Sequence, residues 1–204
     1  EEVFGTDVGF HQVGYLVLVG PENTEILRAN LADLAALGIP TQEVSADEAA
    51  ALIPQVSFEG VGAIGYEPRG GYGDAARTAQ AVSDRARAAG ARVAQGTAAL
   101  EVLTGPSGQV TGVRTTAGTV SCETVVVAAG AWSPPLVAPL GIDLPIRAQR
   151  EQLVVVGPPE QWFPMPVVSD LVDLQYLRCE PTSELLVGNS DHSHPEYVDP
   201  DRFG

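Results

Sequence analysis

Val125-Val126-Val127-Ala128-Ala129-Gly130-Ala131-Trp132-Ser133 is the stretch whose reading decides the fold. A continuous apolar run of this kind suits a β-strand covered on both faces, as in a parallel sheet. It passes through Ala-Ala-Gly into a helix opened by Ser133 and Pro134. Small residues at the carboxyl end of a strand let a ligand come close to the backbone. The helix start that follows offers unpaired N–H groups, and in α/β sheets ligands bind at that edge. A second reading needs no ligand, since a tight strand-to-helix turn wants glycine where φ is positive. The local pattern alone leaves both open.

Upstream of this run the spacing predicts strands at Ala91–Ala94 and Ala99–Leu103, then a hairpin of Gln109–Thr116 with Thr119–Ala128. Before these, an alanine-rich helix over 74–89 ends at Gly90, with Ala75, Ala79, Val82 and Ala86 as its inner positions. Residues 55–72 read as irregular and glycine-rich. Residues 3–20, including Phe4 and Val8, read as two short strands around a turn. A helix over 21–37 follows, opened by Pro21 and stopped by Gly38 and Pro40. Ser45 with Glu48 makes a capping box for a second short helix. Downstream, 134–140 read as a short helix. From Pro145 the pattern changes to strands without helices, Gln152–Val156, Val167–Val168, Leu174–Arg178 and Leu185–Val187, an antiparallel meander. A helix–strand block flanked by segments of another kind implies one domain inserted into another.

The chain has 204 residues, 45% hydrophobic and 18% charged, a globular composition with length for one sizeable core or two small ones. Its 26 acidic residues against 11 Lys plus Arg give a formal net charge of −15. That charge excludes nucleic acid and anionic membranes as partners, because both need a basic surface. No run approaches the roughly 18 apolar residues of a membrane span. Cys122 and Cys179 are the only cysteines, too few for a disulfide framework, and read as free thiols in a reducing cytoplasm. The chain opens Glu1-Glu2-Val3 without a basic leader or Met and stops at Phe203-Gly204, which suggests a piece of something longer.

Several stretches in order carry a family resemblance. They are Gly71-Tyr72-Gly73-Asp74-Ala75 before the long helix, Ala88-Ala89-Gly90-Ala91-Arg92-Val93 at its end, Thr124–Ser133, Pro145-Ile146-Arg147 through Arg150-Glu151-Gln152, Tyr176-Leu177-Arg178, and Leu185-Leu186-Val187-Gly188. Together they resemble the D-amino-acid-oxidase-like flavoproteins, which include sarcosine oxidase and glycine oxidase, from about Val44 to about Asp191. The resemblance implies α/β plus α+β architecture: part of a Rossmann-like FAD-binding domain with a discontinuous, largely antiparallel substrate domain. Residues 1–66 and 145–204 would form the substrate domain and 67–144 the middle of the FAD domain. Ala98 and Ala99 would contact the adenine of FAD through the backbone. Ala128, Ala129, Gly130 and Trp132 would line its ribose and pyrophosphate side.

The departures bear on the cofactor. Ala75 stands where the family has proline. The family's opening strand, GxGxxG loop and ribose-binding acid have no counterpart. Gly60-Val61-Gly62-Ala63-Ile64-Gly65 has the spacing, but no strong strand precedes it and no helix follows. The FAD site is therefore expected to be incomplete here, and the chain alone inactive. Two rivals are a non-catalytic module with the fold but no cofactor and a nicotinamide-dependent α/β enzyme.

The resemblance implies oxidation of the C–N bond of a small amine or amino acid. Arg147, Arg150 and Arg178 are candidate carboxylate anchors, because a guanidinium fork suits a carboxylate. Tyr176 and Arg178 would share one face of a strand. Alternatively Arg178 is a surface cation. His192-Ser193-His194 with Asp191 and Glu196 has metal-like spacing but reads as an exposed loop. His11 reads as a structural histidine and Ser133 as a helix cap.

Overall fold

The computed structural model describes residues 7–157 and 162–202, so Phe4 lies outside the described residues. The chain forms two compact units, one from Glu1–Ala88 with Glu151–His194, the other from Ala89–Arg150 with Pro195–Gly204. In chain order the first unit contributes β1 (His11–Gln12), β2 (Tyr15–Val19), α1 (Thr24–Ala36), β3 (Gln42–Val44), α2 (Ala46–Leu52), β4 (Ala63–Glu67), β5 (Gly71–Tyr72) and α3 (Ala75–Ala88). The second contributes β6 (Ala99–Thr104), β7 (Val110–Thr115), β8 (Gly118–Ser121), α4 (Ser133–Val137) and β9 (Gln149–Arg150). The chain then returns to the first unit with β10 (Leu153–Val156), β11 (Val167–Asp170), β12 (Gln175–Cys179) and β13 (Leu185–Asn189). It ends in the second with β14 (Glu196–Tyr197).

The first unit is built on a seven-stranded sheet of order β10-β13-β12-β11-β2-β4-β3. The expected meander supplies β10 to β13. It does not stand as a separate sheet, because β11 pairs in parallel with β2 and so joins the N-terminal strands. Side chains alternate along each strand. One face carries Leu16, Leu18, Ile64, Val168, Cys179 and Leu185 into the main core, against Ala49 and Ile53 of the α2 region. The other face is covered over β2 and β4 by Leu27 and Leu31 of α1, which pack on Val17, Val19 and Ala63. Beyond α1 this second face continues over β11, β12, β13 and β10. The register sets Val17, Ser169, Tyr176, Gly188 and Leu153 side by side across it.

Local signals act as read. Gly38 (φ +81°) ends α1, with Gly38 N–H donating to Ala35 O at 2.9 Å and Ile39 N–H to Leu34 O at 3.0 Å, a Schellman closure. The α2 capping box is complete. Glu48 N–H donates to Ser45 Oγ at 3.2 Å and Ser45 N–H to Glu48 Oε2 at 2.8 Å. The Ser45 backbone N–H and then its hydroxyl, both donating to Glu48 Oε2, hold the Glu48 carboxyl below its ordinary value.

Several expectations are corrected. The stretch 55–72 contains β4, an interior strand of the sheet, and β5. A Cβ at Gly65 would lie 3.1 Å from Leu27 Cδ1 and 3.3 Å from Leu31 Cδ2, so this glycine lets α1 lie close on the sheet. On α3 the buried residue is Ala81. Ala75 and Ala79 are exposed and Val82 is half-exposed, so the inner face is rotated from the expected one. Ala91–Ala94 joins no ladder. Of Thr119–Ala128 only the part within β8 pairs. No described strand lies beside Val125–Ala129, and Val126 is 87% exposed, so this run is not covered on both faces here. Ser133 is the buried first residue of α4. The cap position belongs to Trp132, without a side-chain capping bond.

Candidate functional site: an open sheet face and an edge strand

In the first unit Tyr176 and Arg178 leave β12 on the face that α1 covers only over β2 and β4, beyond the reach of that helix, and their two-residue spacing puts both on it. Arg178 is held on two sides. Its guanidinium lies 4.5 Å over the Tyr72 ring, and its Nη2 is 2.7 Å from Glu180 Oε1. Tyr72 donates its hydroxyl to Cys179 O at 2.9 Å, which ties β5 to β12. Burial, with the nearby Glu180 charge, pushes the Tyr72 phenol up to about 12. The His11 ring sits 5.1 Å from that of Tyr72 and 6.0 Å, edge-on, from that of Phe163, the packed role expected of it. His11, Tyr72, Arg178 and Glu180 line a cleft of about 410 Å³ that also receives Asp74 and Arg77 at the start of α3. Asp74 Oδ1 accepts from Arg77 N–H at 2.9 Å and so caps the helix.

On the same face the Tyr15 hydroxyl and Ser169 Oγ are 2.5 Å apart. Tyr176, opposite Ser169 on one side and Gly188 on the other, lays its ring across Gly188. Cys179 is buried and free, its thiol pushed up by burial, and Cys122 is half-buried and free. His192 Nδ1 lies 3.2 Å from Glu151 Oε1. No group of three potential metal ligands comes together among the described residues.

In the second unit β6 is an edge strand of the sheet β6-β7-β8. Ala98 is engaged with Thr116: its N–H donates to Thr116 Oγ1 at 3.1 Å and its C=O accepts from Thr116 N–H at 3.0 Å. Ala99, opposite Thr115, is then in a non-hydrogen-bonded pair, so its N–H and C=O face the open edge. The Ala128–Trp132 turn has Gly130 at φ +53° with free space where a Cβ would stand, and Trp132 N–H donates to Ala129 O at 3.0 Å. The Trp132 indole donates to Asp201 Oδ1 at 2.9 Å. Arg150 is 3.2 Å from Glu196 on the neighbouring strand, and Arg147 lies 5.1 Å over the Tyr197 ring. Arg150 and Arg178 thus belong to different units, each with an acidic partner. Sequence reading did not find the Tyr72–Arg178–Glu180 arrangement or the Tyr15–Ser169 pair. Only Glu180, two residues from Arg178, had a local signal.

Among the described residues no helix is long and apolar enough to cross a membrane. The chain is 30% identical over 156 residues to glycine oxidase of Geobacillus kaustophilus, covering 76% of this chain and 41% of that protein. To D-amino acid dehydrogenase of Cereibacter sphaeroides it is 42% identical over 84 residues, 41% of this chain and 19% of that one. The crystal structure of L-proline dehydrogenase from P. horikoshii superposes with a TM-score of 0.83 at 25% identity, over 97% of this chain and 53% of that chain. The chain therefore spans about half, or less, of the length of these relatives. The family model for FAD-dependent oxidoreductases (DAO) matches residues 1–203, and the chain belongs to that family.

Proposed function

We propose that this chain is part of an FAD-dependent oxidoreductase that oxidises the C–N bond of a small amine or amino acid, of the sarcosine, glycine or D-amino-acid type, in a reducing cytoplasm. The observation that carries the reading is the sheet face shared by Tyr176 and Arg178, which presents an aromatic hydroxyl and a pre-oriented guanidinium on one side of β12. In this reading residues 1–66 and 145–204 serve the substrate, and 67–144 serve FAD.

The residues present fit part of the cofactor. The free N–H and C=O of Ala99 offer one donor and one acceptor side by side, the complement of an adenine edge. Ala98 positions that strand, and the small residues Ala128, Ala129 and Gly130, with Trp132, leave room beside the turn for the ribose and diphosphate side. The Gly60–Gly65 spacing does not serve the diphosphate, because it runs into β4 and no helix follows. No other GxGxxG turn between a strand and a helix supplies that grip among the described residues, and the chain by itself is expected not to turn over.

Hydride acceptance from the carbon bearing the amine is the chemistry FAD supplies when bound. The chain's part is binding and orientation. Arg178 uses one arm on Glu180, and a guanidinium has five donors, so a substrate carboxylate can share the fork. Arg150, held by Glu196, is the second candidate anchor. A substrate entering with a neutral amine needs no protein base, which fits a face furnished with hydroxyls and guanidinium. The test is anaerobic mixing of the FAD-loaded protein, expressed from its full reading frame, with sarcosine, glycine, proline or D-alanine. Bleaching of the flavin by at least one is expected. Arg178→Lys should raise KM about tenfold or more, with kcat less affected. No bleaching by any of them overturns the reading.

A further inference from the structure

Tyr176 has two neighbours across the sheet on its own face. On the β11 side stands Ser169, whose Oγ is already engaged by the Tyr15 hydroxyl. On the β13 side stands Gly188. A Cβ built at Gly188 would fall inside the Tyr176 ring, against Cζ, Cε1 and the hydroxyl oxygen. The ring therefore occupies the volume that any side chain at 188 would fill. The phenol oxygen is carried over β13, and it has no hydrogen-bond partner among the described residues. Next to Gly188 on the far side is Leu153 of β10, which is 54% exposed.

We propose that Gly188 is a positioning residue for the substrate site. The inference rests on the reading of Tyr176 as a substrate-facing group. Its missing side chain lets the ring lie flat across β13, while the Tyr15–Ser169 pair closes the alternative side. The unpartnered phenol is thereby fixed on the sheet face that also carries Arg178, as a second polar contact for a molecule whose carboxylate is held by the guanidinium. The φ of Gly188 is not in the left-handed region, so alanine is compatible with its backbone and the substitution acts through the ring.

The experiment is a double-mutant cycle of Gly188→Ala and Tyr176→Phe in the FAD-loaded protein, with Gly188→Ala/Tyr176→Ala as a relief variant. Two probes are read: perturbation of the flavin spectrum by acetate, a non-oxidisable carboxylate, and steady-state kinetics with sarcosine. Thermal unfolding and a crystal structure of Gly188→Ala accompany them. Expected are a displaced ring in Gly188→Ala and weakening of acetate binding by about tenfold in each single variant. The Gly188→Ala/Tyr176→Phe double variant should be no weaker than the worse single. The Tm lost in Gly188→Ala should recover in the Tyr176→Ala double while acetate binding does not. If Tyr176→Phe binds acetate like the parent, or the parent does not bind it, the functional reading falls and this inference with it. If Tyr176→Phe weakens binding and Gly188→Ala does not, the inference alone falls. Additive losses also overturn it, since they would mean Gly188 acts apart from Tyr176.

Discussion

Tyr72 works with two parts of its side chain. The ring face supports the Arg178 guanidinium at 4.5 Å, and the hydroxyl donates to Cys179 O at 2.9 Å. Tyr72→Phe keeps the first and loses the second, at a cost of about 1 kcal/mol. The pH dependence separates this from generic destabilisation. The phenol is raised from 10.0 to about 12, chiefly by burial and then by Glu180. The folded state thus holds the proton more tightly than the unfolded one. The stabilisation is complete below about pH 10 and is lost as the pH rises through about 12. Urea unfolding at about pH 8 and about pH 11 should show the gap between parent and Tyr72→Phe narrowing at the higher pH. A gap that stays constant would mean the phenol is not shielded. At this scale the shared face of Tyr176 and Arg178 was legible, because strand alternation is local. The contact of Tyr72 with Arg178 was not, since it joins β5 to β12 across more than a hundred residues and needs the sheet in place.

Glycine in a strand reads as a breaker when only the chain is seen. In β4 it is a spacer between layers. Gly65 faces α1, and the Leu27 and Leu31 side chains close over it. The element was missed because the reason for its glycine lies on another element, whereas α1, α2 and the hairpin carry their caps and turns within themselves. The opposite error befell Val125–Ala129. Its apolar run reads as a covered strand, yet neighbours decide coverage, and Val126 is 87% exposed. The small residues of the turn after it were readable, because Gly130 takes the positive φ that the pattern asked for. The spacer view makes a graded prediction. Gly65→Ala meets Leu27 Cδ1 at 3.1 Å, the end of a flexible side chain, and should cost about 1 kcal/mol. Gly65→Val cannot be absorbed that way and should cost about 3 kcal/mol. Chemical denaturation measures both. Equal costs would indicate lost backbone freedom in place of crowding between α1 and the sheet.

The whole chain carries a net charge of −15, and many of its arginines are tied to acids: Arg28 to Glu43, Arg87 to Asp84, Arg114 to Glu101, Arg178 to Glu180. Two copies therefore repel at long range. Against that repulsion stands β10. It ends the seven-stranded sheet, no described strand pairs with its outer edge, and Leu153, Val154, Val155 and Val156 are 54%, 56%, 58% and 44% exposed. An apolar strand with an open backbone edge is a template for pairing with another chain. The strand itself was legible as an aliphatic run. Its place at the sheet edge was not, because strand order is set by β13 returning beside it. Charge and edge oppose each other, and salt shifts the balance. The Debye length falls from about 30 Å at 0.01 M to about 3 Å at 1 M, which removes the repulsion and leaves the edge unchanged. Light scattering of this chain should therefore show self-association that rises from about 0.01 M to about 1 M salt. Val154→Lys sets a charge on the edge strand and should abolish that rise while leaving the Tm close to the parent's, because Val154 is more than half exposed. Association that weakens with salt would put charge pairs, not β10, at the contact. A rise that survives Val154→Lys would place the contact elsewhere on the molecule.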